Sequence, residues 1–306
     1  MAVQNLDHTR SEPVDGRSGI TAALVRRLVA DQFPHWAGVP VVPVPTDGWD
    51  NRTYRLGDEL SARLPSGEGY VAAVAKEDRW LPRLARHLPL SVPEPVATGR
   101  PGAGYPWPWS VRRWIPGRPV ADIPPSDPTD FALELARFLT VLHGLDATGG
   151  PLAGPHCFQR GGSLTYYTDE VQAALARLGD AVDRTGCEAV WAEAVASTWT
   201  ADPVWFHGDI APGNLLLDSA GRLTAVLDFG SCGVGDPACD LVIAWTVLRD
   251  DAREAFRAAV GRDAGTWARA RGWALWKALI MLAGDGSDAE EHQAVVREVL
   301  ADSAGR

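Results

Sequence analysis

Polar residues able to carry out chemistry lie close together in residues 205–230, WFHGDIAPGNLLLDSAGRLTAVLDFG, between runs of leucine and valine. They are His207, Asp209, Asn214 and Asp228. Asn214 and Asp228 offer the hard oxygen ligands that Mg²⁺ prefers when it bridges phosphates. Asp209 is then available to orient or deprotonate a hydroxyl group. His207 suits Mg²⁺ poorly, so we expect it to pin the loop.

Short strands must position these residues. The pattern predicts strands at 204–206 and 215–217, the second turning through DSAG into a partner at 222–227. Such a hairpin would hold the loop of Asp209 beside the strand end that carries Asp228. Any one of these polar residues alone is adequately explained as a loop cap or turn former. The whole pattern, H-x-D-x-x-x-x-N followed by a hairpin and D-F-G, favours the phosphoryl-transfer site of a kinase-like fold.

Three segments resemble the signature blocks of the aminoglycoside phosphotransferase family: HGDIAPGNLLL, AVLDFG and GDPACDL. They match that family more closely than protein kinases, which usually have an arginine in place of Gly208. The resemblance extends over most of the chain. It implies an α+β, bilobal, protein-kinase-like fold, with a small antiparallel-sheet N-lobe and a larger, mostly helical C-lobe.

The resemblance also implies a role for individual residues. Asp209 corresponds to the catalytic base, and Asn214 and Asp228 correspond to the magnesium ligands. Asp240 matches a position that braces the catalytic loop in this family, and His207 would give that loop further support. The implied cofactors are Mg²⁺ and ATP, with GTP as an alternative nucleotide.

The side of the site that holds the phosphates departs from the family pattern, which pairs a lysine on a small-lobe strand with a helix glutamate. The segment ELSARLP has Arg63 at the lysine position. Lys76 adjoins the candidate partner Glu77, and neighbouring helix residues point apart; Lys277 lies far down the second lobe. We therefore expect Arg63 to contact the nucleotide phosphates and Glu77 to hold it. An ordinary surface arginine on an edge strand is the alternative.

The hinge that binds the nucleotide base is predicted at 112–116. Backbone groups near Arg113 and Ile115 are expected to hold the adenine. The loop over the nucleotide should be DGWDNRTYRL, which contains only Gly48 and is not a recognisable glycine-rich loop. The chain has no G-x-x-x-x-G-K-[ST], which excludes a P-loop ATPase.

The short connection after D-F-G argues against a protein substrate. Only five residues, 231–235, separate Gly230 from Asp236, whereas a protein kinase needs room there for an activation loop and a peptide platform. The segment GVGDPA fits G-x-G-x-x-A, but no βαβ unit surrounds it, so it is not a dinucleotide fingerprint. We expect a small-molecule substrate.

The organisation of the chain predicts a disordered tail at 1–16, an N-lobe at 17–115 and a C-lobe at 116–306. The predicted N-lobe elements are helices at 18–32 and 70–87, the latter with Pro82 as a doubtful break, and strands at 52–56 and 60–64. In the C-lobe, helices are predicted at 128–143, 169–178 and 188–198. Asp236 and Pro237 have the chemistry of a helix start.

Composition narrows the partners of the protein. The 306 residues carry a net charge of −10, which argues against nucleic acid because phosphate backbones require basic surface. No apolar run reaches the length of a membrane span, and the N-terminus lacks an apolar signal core, so we expect a cytoplasmic protein without a membrane partner. The four cysteines lack zinc spacing and are expected to be reduced thiols.

The predicted function is Mg²⁺- and ATP-dependent phosphorylation of a hydroxyl group on a small molecule, most simply an aminoglycoside-type antibiotic that is thereby inactivated. The acidic net charge agrees with a cationic acceptor. Acidic residues that could face the cleft are Asp169, Glu170, Asp250, Asp251, Asp285, Asp288, Glu290 and Glu291. Each group has the alternative of being an ordinary solvated helix end, and for Asp288–Glu291, at a helix N-terminus, the two interpretations are equally good. The alternatives are a kinase of a macrolide, choline, homoserine or a sugar, and a catalytically inactive nucleotide-binding module.

Overall fold

The computed structural model of the chain describes residues 16–45, 47–48, 50–284 and 288–305. These residues form two compact units. Unit 1 contains the described residues up to Ala85 together with Pro93–Ile115, and unit 2 contains Arg86–Val92 and the described residues from Pro116 onward. The predicted tail at 1–16 lies outside the described residues, apart from Gly16.

Unit 1 is built on an antiparallel sheet. Its strands are β1 (Val41–Pro43), β2 (Asn51–Leu56), β3 (Leu60–Pro65), β4 (Pro95–Gly99) and β5 (Trp109–Arg113). They lie in the order β1-β2-β3-β5-β4. The helices of unit 1 are α1 (Gly16–Gly19), α2 (Ala22–Gln32) and α3 (Val71–Leu84). The predicted strands at 52–56 and 60–64 are confirmed, each within one residue, as β2 and β3.

The single helix predicted at 18–32 is two helices. Thr21 lies between them and accepts a hydrogen bond from the Leu24 amide through its side chain, which caps the N-terminus of α2. Leu24 and Leu28 then pack into the core of unit 1, where they join Tyr54 of β2. The apolar periodicity continues across the cap, so it could not reveal the break.

Helix α3 is shorter than the predicted 70–87 and ends at Leu84. Pro82 lies in its last turn without breaking the helix earlier, since a proline so close to the end removes little of the hydrogen-bond ladder. Val74, Glu77 and Leu81 share the buried face of the helix. This spacing turns the Glu77 carboxylate into unit 1.

Unit 2 is mostly helical. Its helices are α4 (Pro128–Gly144), α5 (Thr168–Leu178), α6 (Arg184–Ala196), α7 (Ile243–Thr246), α8 (Asp250–Val260), α9 (Ala264–Ala283) and α10 (Ala289–Ala304). Its strands are β6 (Arg118–Pro119), β7 (Val204–Phe206), β8 (Leu215–Leu217), β9 (Leu223–Val226) and β10 (Gly233–Gly235). The predicted helices at 128–143 and 169–178 are confirmed, whereas α6 begins four residues before the predicted 188.

The predicted hairpin after the catalytic-loop motif is confirmed as β8 and β9, which pair antiparallel. Strand β10 was not predicted: the five-residue connection at 231–235 supplies it, and it pairs antiparallel with β7. Gly233 lies opposite Phe206, and a Cβ atom at Gly233 would approach the Phe206 ring to 2.8 Å. The glycines of GVGDPA therefore serve strand packing, in agreement with the rejection of a dinucleotide fingerprint.

The longest helix of unit 2 is central to its core. Helix α9 packs against α5, α6 and α10, and it buries Trp267, Trp273 and Trp276. None of the described helices is long and apolar enough to cross a membrane. The four cysteines are buried and free of disulfide bonds, as predicted.

Candidate active site

The catalytic loop starts where β7 ends, at Phe206. Gly208 has a φ of +86°, a conformation that favours glycine, and a Cβ atom there would lie 2.6 Å from the Ser231 carbonyl oxygen. An arginine, usual at this position in protein kinases, cannot fit without moving the Ser231 backbone. The close packing of these two segments explains the H-G-D form of the motif.

Asp240 holds this loop by hydrogen bonds to the loop backbone. The side chain is fully buried, and its Oδ1 accepts a hydrogen bond from the Gly208 amide at 2.7 Å. Its Oδ2 accepts one from the His207 amide at 2.9 Å and lies 3.0 Å from Nε2 of His143. Arg262 donates to Nδ1 of His143, so Nε2 carries the proton and donates to Asp240. The carboxylate thus satisfies three buried donors.

His207 links the loop to the end of β9. Its Nδ1 accepts a hydrogen bond from the Asp209 amide at 3.1 Å, so the proton is on Nε2, which donates to the Leu227 carbonyl at 2.9 Å. The ring also packs edge-on against Phe229, with centroids 4.6 Å apart. Both ring nitrogens are therefore occupied by the backbone, and His207 fixes Asp209 relative to the residue before Asp228.

Asn214 contacts Asp209 directly. Its side-chain NH₂ group donates to the Asp209 carbonyl oxygen at 2.9 Å and to the carboxylate Oδ2 at 3.0 Å. Because the nitrogen is used in this way, the Asn214 Oδ1 remains the atom suited to a cation. The Asn214 carbonyl accepts a hydrogen bond from the Leu227 amide at 2.7 Å, which brings Asn214 beside Asp228.

Asp228 has left-handed backbone geometry, with a φ of +61°, and its side chain accepts a hydrogen bond from the Gly230 amide. No group of three or more His, Cys, Asp or Glu side chains within the described residues is arranged to hold a metal. Mg²⁺ does not need such a group, because it commonly takes one or two protein oxygen ligands and completes its shell with phosphates and water. Asn214 and Asp228 fit that requirement.

Lys277 reaches the catalytic loop from helix α9. Its Nζ lies 3.0 Å from Oδ1 of Asp209, and its side chain is 41% exposed. The sequence predicts Lys277 far down the second lobe, and α9 does lie in unit 2, but the fold brings this lysine back to the catalytic loop. The available signal was local: α9 is otherwise strongly apolar here, and a lysine within GWALWKALIML needs a reason to be there.

Arg160 places a second positive charge next to the same loop. Its Nε donates to the Gly208 carbonyl at 3.2 Å, and its guanidinium lies 4.5 Å from the centroid of the Trp276 ring. Burial opposes ionisation of Asp209, but the attraction of Lys277 and then of Arg160 outweighs it and lowers the pKa of the carboxyl to about 2. Asp209 is therefore ionised at neutral pH.

In unit 1, Glu77 is held by Arg112, which the sequence predicts to lie in the hinge. Arg112 donates to both carboxylate oxygens of Glu77, at 2.8 and 2.9 Å, and its side chain is buried. Arg63, the predicted partner, lies 3.5 Å from the same carboxylate. Arg112 was expected in the hinge, but it belongs to β5, where strand alternation turns its side chain inward toward α3.

The backbone near the predicted hinge is partly engaged. The Arg113 amide donates to the Glu94 carbonyl at 3.0 Å, and the Trp114 amide donates to Glu59 at 2.7 Å. Within the described chain, no hydrogen bond engages the backbone of Ile115. Of the two residues predicted to hold adenine, Arg113 thus has its amide already hydrogen-bonded and Ile115 does not.

In the predicted nucleotide loop, Asp47 contacts several of the described residues. Trp49 lies outside the described residues. Asp47 accepts a hydrogen bond from the Thr53 amide at 3.0 Å and forms an ion pair with Arg52 at 2.8 Å. Arg17 donates to the Gly48 carbonyl at 2.6 Å. Asp47, Arg52 and Arg17 thus hold in place a loop that lacks the usual glycines.

The sequence profile of the phosphotransferase enzyme family, APH, matches residues 41–273, a range that includes Arg63, Glu77, the catalytic loop and Asp240. The chain belongs to this family. Uncharacterized protein YcbJ of Bacillus subtilis (strain 168) is 29% identical to this phosphotransferase family member over 202 residues, or 65% of this chain. The match spans 63% of that relative, less than two thirds of its length.

Solved structures with the same fold include phosphotransferases of two antibiotic classes. The GDP complex of aminoglycoside 2'-phosphotransferase-IIIa has a TM-score of 0.68 and 18% identity, and the match covers 92% of this chain and 99% of that one. Macrolide 2'-phosphotransferase MphH from Brachybacterium faecium has a TM-score of 0.59 and 22% identity, covering 91% and 97%.

A third structure is a thermostable mutant of aminoglycoside phosphotransferase APH(4)-Ia in a ternary complex with AMP-PNP and hygromycin B. Its TM-score is 0.64 at 19% identity, with 92% of this chain and 99% of that one covered. At these identities the likeness concerns the fold alone. The predicted α+β, kinase-like fold and the resemblance to this family are confirmed.

Proposed function

We propose that this phosphotransferase family member transfers the γ-phosphoryl group of ATP, with GTP as an alternative donor, to a hydroxyl group of a cationic small molecule of the aminoglycoside type. One observation carries the proposal. Asp209 is ionised and oriented, and Asn214 and Asp228 stand beside it as a pair of residues with side-chain oxygens. A dependence on ATP implies action in the cytoplasm, where ATP is supplied.

Asp209 acts on the acceptor. Its carboxylate accepts a hydrogen bond from the acceptor hydroxyl and aligns the oxygen with the γ-phosphorus. A bond forms between that oxygen and phosphorus as the bond to the β,γ-bridging oxygen breaks, the nucleoside diphosphate leaves, and the hydroxyl proton passes to Asp209. When bound, Mg²⁺ would neutralise phosphate charge, and Asn214 and Asp228 would hold it.

In unit 1, the arrangement around Glu77 supports a phosphate-binding role for Arg63. Arg112 alone satisfies both oxygens of Glu77, so Arg63 can turn toward phosphates without leaving that carboxylate unpaired. A guanidinium keeps its charge and forms paired hydrogen bonds with phosphate oxygens. Ile115, with Arg113 beside it, offers backbone groups to the base of the nucleotide.

An acidic cavity in unit 2 supports a cationic acceptor. It has a volume of about 740 Å³, in the range of small-molecule sites, and Pro212 of the catalytic loop borders it. Four carboxylates line it, against one arginine, Arg249: they belong to Asp122, Asp250, Asp251 and Glu291. Asp285 lies outside the described residues. Several carboxylates around one cavity attract a polycation and raise its association rate.

The remaining wall of this cavity favours a second candidate, a macrolide. The wall is largely apolar, with Val120, Ile123, Phe131 and Leu248 among the lining residues. A large acceptor with one amine relies on such surface more than on carboxylates. The fold of MphH is also shared by this chain.

Release of ADP or GDP, measured with kanamycin, hygromycin B, a macrolide, choline and homoserine at low and high salt, tests the proposal. We expect turnover of an aminoglycoside that weakens as salt rises. Replacement of Asp250 and Asp251 by asparagine should raise KM for that acceptor and leave kcat nearly unchanged. Turnover of the macrolide alone, unaffected by salt, would assign the second candidate. Binding of Mg-ATP without turnover of any acceptor would favour an inactive module.

A further inference from the structure

Lys277 is an unusual residue for its position. It is one of only two lysines in the chain, and it lies on a helix whose residues 266–276 are buried without interruption. Its ammonium group ends 3.0 Å from the carboxylate that the proposed function makes the base. None of the signature blocks of the sequence contains it, so it reaches the loop only through folding.

We propose that Lys277 is the cation shared between Asp209 and the phosphoryl group during transfer, a role that rests on the proposed function of Asp209. The acceptor oxygen must lie about 2.6–3.2 Å from Asp209 to give up its proton. The phosphorus lies about 3–3.5 Å beyond that oxygen before attack. A lysine Nζ already in contact with Asp209 can therefore reach a phosphoryl oxygen through small rotations of its side chain.

The two carboxylate oxygens of Asp209 have different partners, so one partner can leave its oxygen while the other keeps the carboxylate in position. Asn214 donates to Oδ2 and Lys277 donates to Oδ1. The amide of Asn214 is fixed further by its bond to the Asp209 backbone. Lys277 has four rotatable side-chain bonds and a 41% exposed side chain, so it is the partner able to yield Oδ1 to an acceptor hydroxyl.

Charge gives the reason for a cation at this point. The Asp209 carboxylate and the transferring phosphoryl group are both negative, and without compensation they repel each other as they come together. Arg160 is more constrained than Lys277, because its Nε donates to the Gly208 carbonyl and its guanidinium packs on the Trp276 ring. Lys277 is the mobile charge at the carboxylate.

A purely structural role predicts something different. An ion pair with both partners partly exposed contributes little to the free energy of unfolding. If Lys277 only packed beside the loop, its removal would leave affinity for a transition-state mimic unchanged. The proposal predicts that the loss falls on the mimic and on the rate, and not on ground-state nucleotide binding.

The test compares Lys277→Met, Lys277→Arg and the control Arg297→Met, which removes one exposed positive charge from α10. Affinities for Mg-ADP and for Mg-ADP with aluminium fluoride are measured by calorimetry. We expect Lys277→Met to lose at least about tenfold of the extra affinity that aluminium fluoride confers, a loss comparable to one charged contact. Lys277→Arg should recover part of it, and Arg297→Met should resemble the parent.

Unchanged affinity for the aluminium fluoride complex in Lys277→Met, in a protein that still melts near the parent temperature, would overturn the proposal. If the parent gains no affinity from aluminium fluoride, or Asp209→Asn keeps full activity, the proposed function fails and the role of Lys277 fails with it.

Discussion

Arg112 donates hydrogen bonds to both carboxylate oxygens of Glu77, at 2.8 and 2.9 Å, while Arg63 lies 3.5 Å from one of them. The glutamate that in the family pattern would serve a single lysine is here shared by two arginines. One of them is buried and bidentate, and the other is at the longer distance. We therefore expect the loss of each arginine to have a different effect.

Replacement of Arg63 by alanine should weaken nucleotide binding. A hydrogen bond between charged groups contributes about 1.5–3 kcal/mol, so Kd for Mg-ATP should rise by roughly 10–150-fold, and Arg63→Lys should restore part of the affinity. Isothermal titration of the two variants measures this. Unchanged affinity in Arg63→Ala would mean that backbone groups alone hold the phosphates.

Replacement of Arg112 by alanine should act on stability. It leaves the buried Glu77 carboxylate with only the longer contact to Arg63, and breaking a buried pair costs about 3–5 kcal/mol. Urea unfolding measures the loss. The matched control is Arg222→Ala, which breaks the exposed pair with Asp218 and should change stability by about 1 kcal/mol or less. Equal effects for the two variants would contradict the distinction.

Replacement of Asp209 by alanine should abolish most of the catalysis and leave the fold and nucleotide binding intact. Loss of a general base lowers the rate by about 10²–10⁴-fold. Single-turnover kinetics with saturating nucleotide isolate this step from product release. A variant that turns over within a few-fold of the parent would show that Asp209 is not the base.

Replacement of Asp228 by alanine should remove the Mg²⁺ dependence of nucleotide affinity. Asn214 would then be the only protein ligand of the pair, and one amide oxygen holds Mg²⁺ poorly without a carboxylate. The measurement is ATP affinity across a Mg²⁺ titration, with Asp218→Ala, in the exposed β8–β9 turn, as the control. A Mg²⁺ response like that of the parent would exclude Asp228 as a ligand.

The sequence was most informative where function depends on residues that are near each other along the chain. The β8–β9 hairpin and the spacing of Asp209, Asn214 and Asp228 are local features, so pattern and turn chemistry were sufficient to predict their proximity. Family and fold followed from the same motifs. The cap at Thr21 was missed because apolar periodicity passes through it.

Residues that reach the site from distant elements were not predictable. Lys277, Arg160 and His143 approach the loop from separate segments of unit 2, and their contacts depend on how helices pack. The prediction for Arg112 is wrong because the sequence pattern near the end of a strand is equally compatible with a hinge. Side-chain direction in β5, which decides its role, is set by pairing with β3.

The Asp240 carboxylate provides the most specific test of how the loop is held. Three nitrogen donors converge on it: the His207 and Gly208 amides and Nε2 of His143. In Asp240→Asn the new NH₂ group must face at least one of these donors, leaving it buried and unsatisfied at a cost of about 1–3 kcal/mol. The loop should shift and kcat should fall, although the Asp240 side chain is itself fully buried. Asp218→Asn makes the same chemical change in the exposed β8–β9 turn, where Asn can keep the turn, and it should leave kcat unchanged. Steady-state kinetics and thermal unfolding of the two variants decide the matter; equal kcat values would show that His207 and Asn214 hold the loop without Asp240.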